Sequence, residues 1–221
     1  PKALLATRRV MVSQWLPGVP FARLALTGTS EQRDRAGQMY QRFFLESPTR
    51  VGLLHTDPHP GNFRLVGDRL GVLDFGSVLV TPGGLPETFG RLIAGMLVGD
   101  DMAVEARLRA DGFIKAGKPF EVAKLAGYLA PFTEPARHEV FTYSREWLRT
   151  TFGTINDPRN PDFAVALQMN MPAEQLFTHR VWLGLVSVLS GLNATVIVRE
   201  ELVRFLPGFA AGLARGDAPK G

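Results

Sequence analysis

Two carboxylates and one side-chain amide stand in an order that suits phosphate chemistry. Asp57 and Asn62 lie in the run His55-Thr56-Asp57-Pro58-His59-Pro60-Gly61-Asn62, and Asp74 follows in Asp74-Phe75-Gly76. Phosphoryl-transfer sites present a catalytic aspartate and two Mg²⁺ ligands in this order and near this spacing. Asp57 and Asn62 can point at one phosphate only if they share a tight loop. Asp74 must then return to the same place, and a short hairpin does this. Phe63 to Val66 reads as the outgoing strand, Gly67-Asp68 as the turn, and Arg69 to Leu73 as the return strand.

Other chemistries fit the same residues less well. His55 and His59 are four apart, which is zinc-ligand spacing on a helix. Pro58 and Pro60 exclude a helix there, so the two rings cannot share a helical face. An Asp-x-x-x-x-Asn by itself would be an ordinary polar turn. Here two prolines restrict the backbone around one aspartate and lower the entropy lost on ordering, which suits a preorganised site. The chain has no cysteine, which removes disulfides, thiolate catalysis and cysteine-ligated zinc.

These residues carry a family resemblance. The run from His55 to Asn62, followed by Val72-Leu73-Asp74-Phe75-Gly76, resembles the UbiB-like atypical kinases, also called the ADCK or aarF-domain family. Their usual loop has Ala where this chain has Thr56. Met11-Val12-Ser13-Gln14-Trp15-Leu16-Pro17-Gly18 is similar to the family's last N-lobe strand and hinge, with Gln14 in place of Glu. The helix bearing Arg180, Leu183 and Gly191 is similar to a late C-lobe helix. Aminoglycoside-phosphotransferase-like kinases carry a related loop, but with Gly-Asp-Leu where Thr56-Asp57-Pro58 stands, and are the second choice.

The resemblance implies ATP and Mg²⁺ as cofactors. It makes Asp57 the aspartate that orients or deprotonates the acceptor, and Asn62 and Asp74 the Mg²⁺ ligands, whose oxygens suit a hard cation. It puts His59 where protein kinases hold a γ-phosphate lysine; a structural loop histidine is the competing reading. Adenine would meet the Gln14 carbonyl and the Leu16 N–H. Thr56 replaces the arginine that pairs with a phosphorylated activation loop, so control of that kind is not expected. The short segment from Ser77 to Pro86 lacks a peptide platform, which points to a small hydrophobic, isoprenoid-quinone or lipid-like acceptor. The alternative from another class is a nucleotide-sensing regulator, or a chaperone-like lipid-binding subunit without phosphotransfer.

The remaining sequence must position that loop. With 221 residues, 45% hydrophobic and 21% charged, the chain suits one globular domain or one large lobe. The expected fold class is α+β, mostly α: a protein-kinase-like C-lobe with a small hairpin. Residues 1–18 read as the end of an N-lobe strand and hinge, 19–213 as the C-lobe and 214–221 as a flexible tail. Because the chain starts at Pro1, it reads as a piece lacking its upstream lobe, inactive alone. The net charge of +4 is compatible with nucleotide phosphate or an anionic membrane surface. Basic residues are dispersed, so nucleic acid is not an expected partner. The expected location is cytoplasmic, with peripheral membrane contact allowed.

Helices are expected from Thr29 or Ser30 to about Glu46, ended by Pro48, and from Pro86 to Val98. Others should run from Asp100 or Asp101 to Ala110, Pro119 to Leu129, Pro135 to Thr151, near Pro172 onward, and Arg199 to Phe205. The polar stretch Gly153 to Pro161 is the best internal boundary. Val181 to Val198 carries no charge, but its Ser, Asn, Thr and Gly residues favour a buried core helix over a membrane span. His138 and His179 read as surface or core histidines. Trp15, Trp147 and Trp182 read as packing residues.

Overall fold

A computed structural model describes residues 2–115 and 117–216. The chain enters through an exposed antiparallel hairpin, β1 (Ala3–Ala6) and β2 (Met11–Ser13). β3 (Val19–Pro20) passes directly into α1 (Phe21–Thr27). Next comes α2 (Ser30–Val51), opened by a reciprocal cap in which Thr29 and Gln32 each bond the other's backbone N–H. The helix does not stop at Pro48, as the sequence suggested. Proline forfeits its own N–H bond to the carbonyl one turn back. The helix continues for one more turn, and the Gly52 N–H bonds the Pro48 carbonyl at 3.1 Å.

β4 (Leu53–His55) delivers the catalytic-looking loop, which closes with a single 3-10 turn over Pro60–Asn62. The hairpin then forms where the sequence placed it: β5 (Phe63–Val66) against β6 (Arg69–Val72), in register Phe63↔Val72 to Val66↔Arg69. β3 adds to the free edge of β5. β7 (Val78–Val80) pairs antiparallel with β4, a strand not among the elements expected from sequence. The loop is therefore clamped at both ends by sheet hydrogen bonds.

The base is helical. α3 (Glu87–Val98) follows Pro86, and α4 (Asp101–Ala110) is capped by the Asp100 carboxylate on the Ala103 N–H, both as expected. α5 (Val122–Thr133) starts and ends a few residues late. The expected helix from Pro135 to Thr151 is instead a 3-10 turn over Glu134–Arg137, then β8 (Val140–Thr142), then α6 (Arg145–Ile155). Val140, Phe141 and Thr142 are β-branched or aromatic, and they find a partner strand far along the chain. α7 (Phe163–Ala166) and a 3-10 turn over Ala173–Gln175 lead into α8 (Leu176–Leu192).

The uncharged run is buried core, but it is not one helix. Asn193 adopts the left-handed conformation (φ 53°), which an asparagine tolerates better than most residues, and this ends α8. β9 (Thr195–Ile197) follows and pairs antiparallel with β8. The other long edge of β9 meets no strand. Three side chains of α2 meet it instead: Asp34 accepts the Thr195 N–H (2.8 Å), Gln38 accepts the Ile197 N–H (2.7 Å), and the Gln41 amide donates to the Ile197 carbonyl (2.6 Å). The three lie along one helix face.

α9 (Arg199–Phe205) matches its expected bounds. The carboxylate of its Glu201 is buried and paired with Arg42 of α2. α10 (Phe209–Gly216) packs on α3 and takes up residues 214–216, where the tail was expected to begin. The rest of that expected tail, residues 217–221, lies outside the described residues. The apolar interior divides in two. A larger cluster centres on Tyr40, Phe44, Phe63 and Leu189 under the loop, and a smaller one on Leu108, Phe113 and Leu125 between α3, α4 and α5.

Candidate active site

The loop is held from behind by two helices. The Tyr40 hydroxyl donates to the Pro58 carbonyl at 2.7 Å. Burial, and after it the negative charge of Asp57, push the Tyr40 phenol well above its ordinary value, so it stays a donor. From the other side α8 comes in at Gly184. A β-carbon there would lie 2.1 Å from the Pro58 ring, so this approach requires glycine. Pro58 is thus fixed between two helices.

His55 ties the aspartates together. Its Nε2 lies 2.6 Å from the Asp74 carbonyl, and its Nδ1 lies 3.3 Å from the Asp57 N–H. A carbonyl only accepts and an N–H only donates, so the ring is the neutral Nε2–H tautomer. The ring is buried against Phe43, Phe44, Phe63 and Phe75. His55 therefore both packs behind the loop and positions the two aspartates.

Both oxygens of Asp57 are engaged. The Asn62 amide donates to Oδ2 at 2.8 Å and also to the Asp57 carbonyl at 3.3 Å. Arg180 of α8 donates to Oδ1 at 3.3 Å. The Asn62 amide nitrogen is thereby turned toward Asp57. No hydrogen bond among the described residues engages its Oδ1.

Asp74 stands just beyond β6, next to Leu73, whose N–H bonds the Asn62 carbonyl at 2.9 Å. Its Oδ1 accepts the Gly76 N–H at 2.7 Å, and its side chain is exposed. The hairpin therefore does bring Asn62 and Asp74 to one end of the sheet. Their oxygens fit a hard octahedral cation that keeps waters and phosphate oxygens as its other ligands. No cluster of three or more His, Cys, Asp or Glu suited to a metal occurs among the described residues.

The other anticipated residues fall as follows. The exposed His59 accepts the Gly61 N–H on Nδ1 at 3.1 Å, a structural use that leaves Nε2 outward. Leu16 packs onto the hairpin, and a β-carbon at Gly71 would meet its side chain at 2.6 Å. Gln14 is exposed, and its N–H donates to the Lys2 carbonyl at 2.8 Å. The hinge-like segment thus lies over the hairpin that Asn62 and Asp74 flank. Thr56 is buried, and its hydroxyl lies 2.6 Å from that of Ser77. Trp147 and Trp182 pack on the core as expected; Trp15 does not, being 78% exposed with the Arg64 guanidinium over its ring.

Sequence reasoning missed Arg180, Tyr40 and Gly184 as parts of this site. Arg180 was visible only as one residue of a helix similar to the family's late C-lobe helix. Nothing in the sequence linked it to a residue 123 positions earlier.

Loop, hairpin and helical base together define a protein-kinase-like C-lobe of mixed α and β structure. Residues 2–106 match the ABC1 atypical kinase-like domain, and the resemblance to the UbiB-like family read from the loop holds. The fold superposes with a TM-score of 0.84 on Rv3197 of Mycobacterium tuberculosis, solved in complex with erythromycin, at 32% identity. That match covers 94% of this chain and 52% of the other, so the chain spans about half the length of that protein. An uncharacterized protein of Synechocystis, slr0889, is 35% identical over 81 residues, 34% of this chain and 20% of its own length.

Proposed function

We propose that this chain carries the Mg-ATP and acceptor end of an atypical kinase or ATPase. Asn62 and Asp74 would hold Mg²⁺, and Asp57 would orient the acceptor. The observation that carries this reading is the Asn62 amide: its nitrogen is spent on Asp57, its oxygen accepts no hydrogen bond among the described residues, and its backbone carbonyl is tied to Leu73, the neighbour of Asp74. Mg²⁺ bound there would neutralise charge on the phosphate oxygens. Asn62 and Arg180 set the direction of the Asp57 carboxylate, and His55 sets the spacing between the two aspartates. The Gln14 carbonyl and Leu16 N–H would meet adenine. His59 would contribute through its outward Nε2.

The acceptor in this reading is a small hydrophobic molecule of the isoprenoid-quinone or lipid type. Its support is the short path from Gly76 to α3, which β7 already occupies. A cytoplasmic protein in peripheral contact with anionic membranes fits the net charge of +4. Among the described residues no helix is long and apolar enough to cross a membrane.

A second reading is a nucleotide-sensing or lipid-binding subunit without phosphotransfer. It is favoured by the hydrogen bonds that both Asp57 oxygens already accept, from Asn62 and from Arg180, which give the carboxylate a structural use without any acceptor hydroxyl. Calorimetric titration with Mg-ATP and a phosphate-release assay test both readings. Asp74→Asn should weaken Mg-ATP binding severely, while Asp57→Asn should spare binding and reduce turnover. Unchanged affinity in Asp74→Asn overturns the metal assignment. Nucleotide binding without phosphate release or transfer favours the second reading.

A further inference from the structure

α8 has two working faces. Arg180 and Gly184, four residues apart, meet the catalytic loop at Asp57 and Pro58. His179, Trp182 and Leu183 line a separate cavity of about 360 Å³. The helical repeat puts these two sets on different sides of the helix. The cavity opens among α3, α4, α5, α7 and α8, at the smaller core cluster.

The chemistry of this cavity specifies its occupant. Leu125, Phe113 and Phe132 make its inner wall apolar and aromatic. Three of the chain's six methionines, Met96, Met169 and Met171, also line it. Unbranched, polarisable side chains of this kind reshape around varied apolar guests. The inner polar groups are already satisfied: the Tyr128 hydroxyl donates to the Ile155 carbonyl and the Thr133 hydroxyl to the Ala130 carbonyl. Asn170, exposed, and His179, half-buried, remain with side chains that make no hydrogen bond among the described residues. Burial lowers the His179 pKa and keeps its ring neutral, able to donate or accept. Interiors are close-packed, and an apolar space of this size is within the range of small-molecule pockets.

We propose that this cavity is an effector site for a compact apolar molecule with one hydrogen-bonding end, and that its occupancy is felt at Asp57 through α8. The apolar body would lie between α3 and α5, and its hydroxyl or carbonyl would meet Asn170 and His179. The wall formed by α8 separates the occupant from Asp57, so it acts as an effector and not as the phosphoryl acceptor. The effector role rests on the nucleotide reading above; the binding site does not.

Trp182 in the cavity wall supplies the readout. The 221-residue chain is titrated with 10-bromodecan-1-ol, whose bromine quenches a neighbouring indole, and 1-decanol is used as competitor. The expected result is saturable quenching, reversed by 1-decanol, and at least tenfold weaker in Ala166→Phe and in Met96→Phe. Circular dichroism confirms that each variant is folded. Quenching that does not saturate, or that survives both cavity-filling variants, overturns the site. Mg-ATP affinity is then measured with and without 1-decanol. A shift of threefold or more, lost in Ala166→Phe, supports the effector role, since coupling between two sites is reciprocal. Mg-ATP binding with no shift overturns that role and leaves the binding site standing. Absence of Mg-ATP binding overturns the nucleotide reading and the effector role together, while the quenching result still decides the cavity.

Discussion

Arg180 stands 3.3 Å from Oδ1 of Asp57, across 123 residues of chain, while Asn62 holds the other carboxylate oxygen at 2.8 Å. The guanidinium is 58% exposed, so its attraction for Asp57 is screened and contributes little to stability. Its consequence is directional. It fixes which way the carboxylate faces, and it offers a positive charge beside any phosphate brought to Asp57.

Arg180→Ala should therefore affect chemistry far more than folding. Turnover by the whole protein should fall about 10- to 100-fold, the scale of losing one positioning contact, with Mg-ATP affinity changed little. Arg180→Lys should recover part of the loss, because a lysine restores the charge without the fork geometry. Steady-state kinetics with calorimetric affinities check this. Equal loss of affinity and turnover would mean that Arg180 holds nucleotide instead of Asp57.

His55→Phe keeps the aromatic packing and removes both hydrogen bonds that link the two aspartates. A part-buried carbonyl and N–H lose their partner, which costs up to about 1–3 kcal/mol each where water cannot replace it. The Mg²⁺ concentration needed for half-maximal nucleotide binding should rise about tenfold, since one factor of ten corresponds to about 1.4 kcal/mol. A Mg²⁺ titration of nucleotide affinity reads this. An unchanged half-point would show that Asp74 is positioned without His55.

Gly184→Ala tests the contact between α8 and Pro58. Alanine is otherwise the better helix former, so an exposed glycine would gain stability from the change. Here the added methyl would meet Pro58 at 2.1 Å, and overpacking of this kind costs about 1–3 kcal/mol. Urea unfolding should show a net loss. A gain would mean that the loop moves away freely.

Arg42→Met removes the partner of a carboxylate that is 2% exposed. Stripping one partner from a fully buried pair costs about 3–5 kcal/mol, and the 45% exposure of Arg42 lowers the expectation to about 2 kcal/mol. Arg42→Met with Glu201→Leu should be more stable than Arg42→Met alone, because the second change removes the stranded charge. Denaturant midpoints of the three variants test the order.

The loop and its hairpin were legible because their marking residues stand in a fixed order over a short span, and the turn at Gly67-Asp68 sets the register locally. α4 and α9 were legible for a similar reason: Asp100 and Arg199 mark starts within a few residues of the apolar face they announce. The failures share a different cause. β8 is a strand only because β9 lies beside it, more than fifty residues on, and β7 only because β4 does. Pro48 misled because a proline in the final turn removes one donor and no more. Asp57 could be named from its neighbours in sequence, but Arg180, Tyr40 and Gly184 reach it through tertiary packing that no local pattern encodes.

The side chains of Asp34, Gln38 and Gln41 that satisfy β9 carry a consequence for the chain's solution behaviour. A two-stranded ribbon ordinarily has two open edges, each a template for a strand from another molecule. On β9 that template is already used up by a helix, through groups that cannot propagate a sheet. Any intermolecular strand addition to this ribbon must come along β8. The seal also depends on α2 being formed, so a chain in which α2 frays, for instance through loss of the Thr29 cap, would expose a second adhesive edge before the fold is otherwise lost.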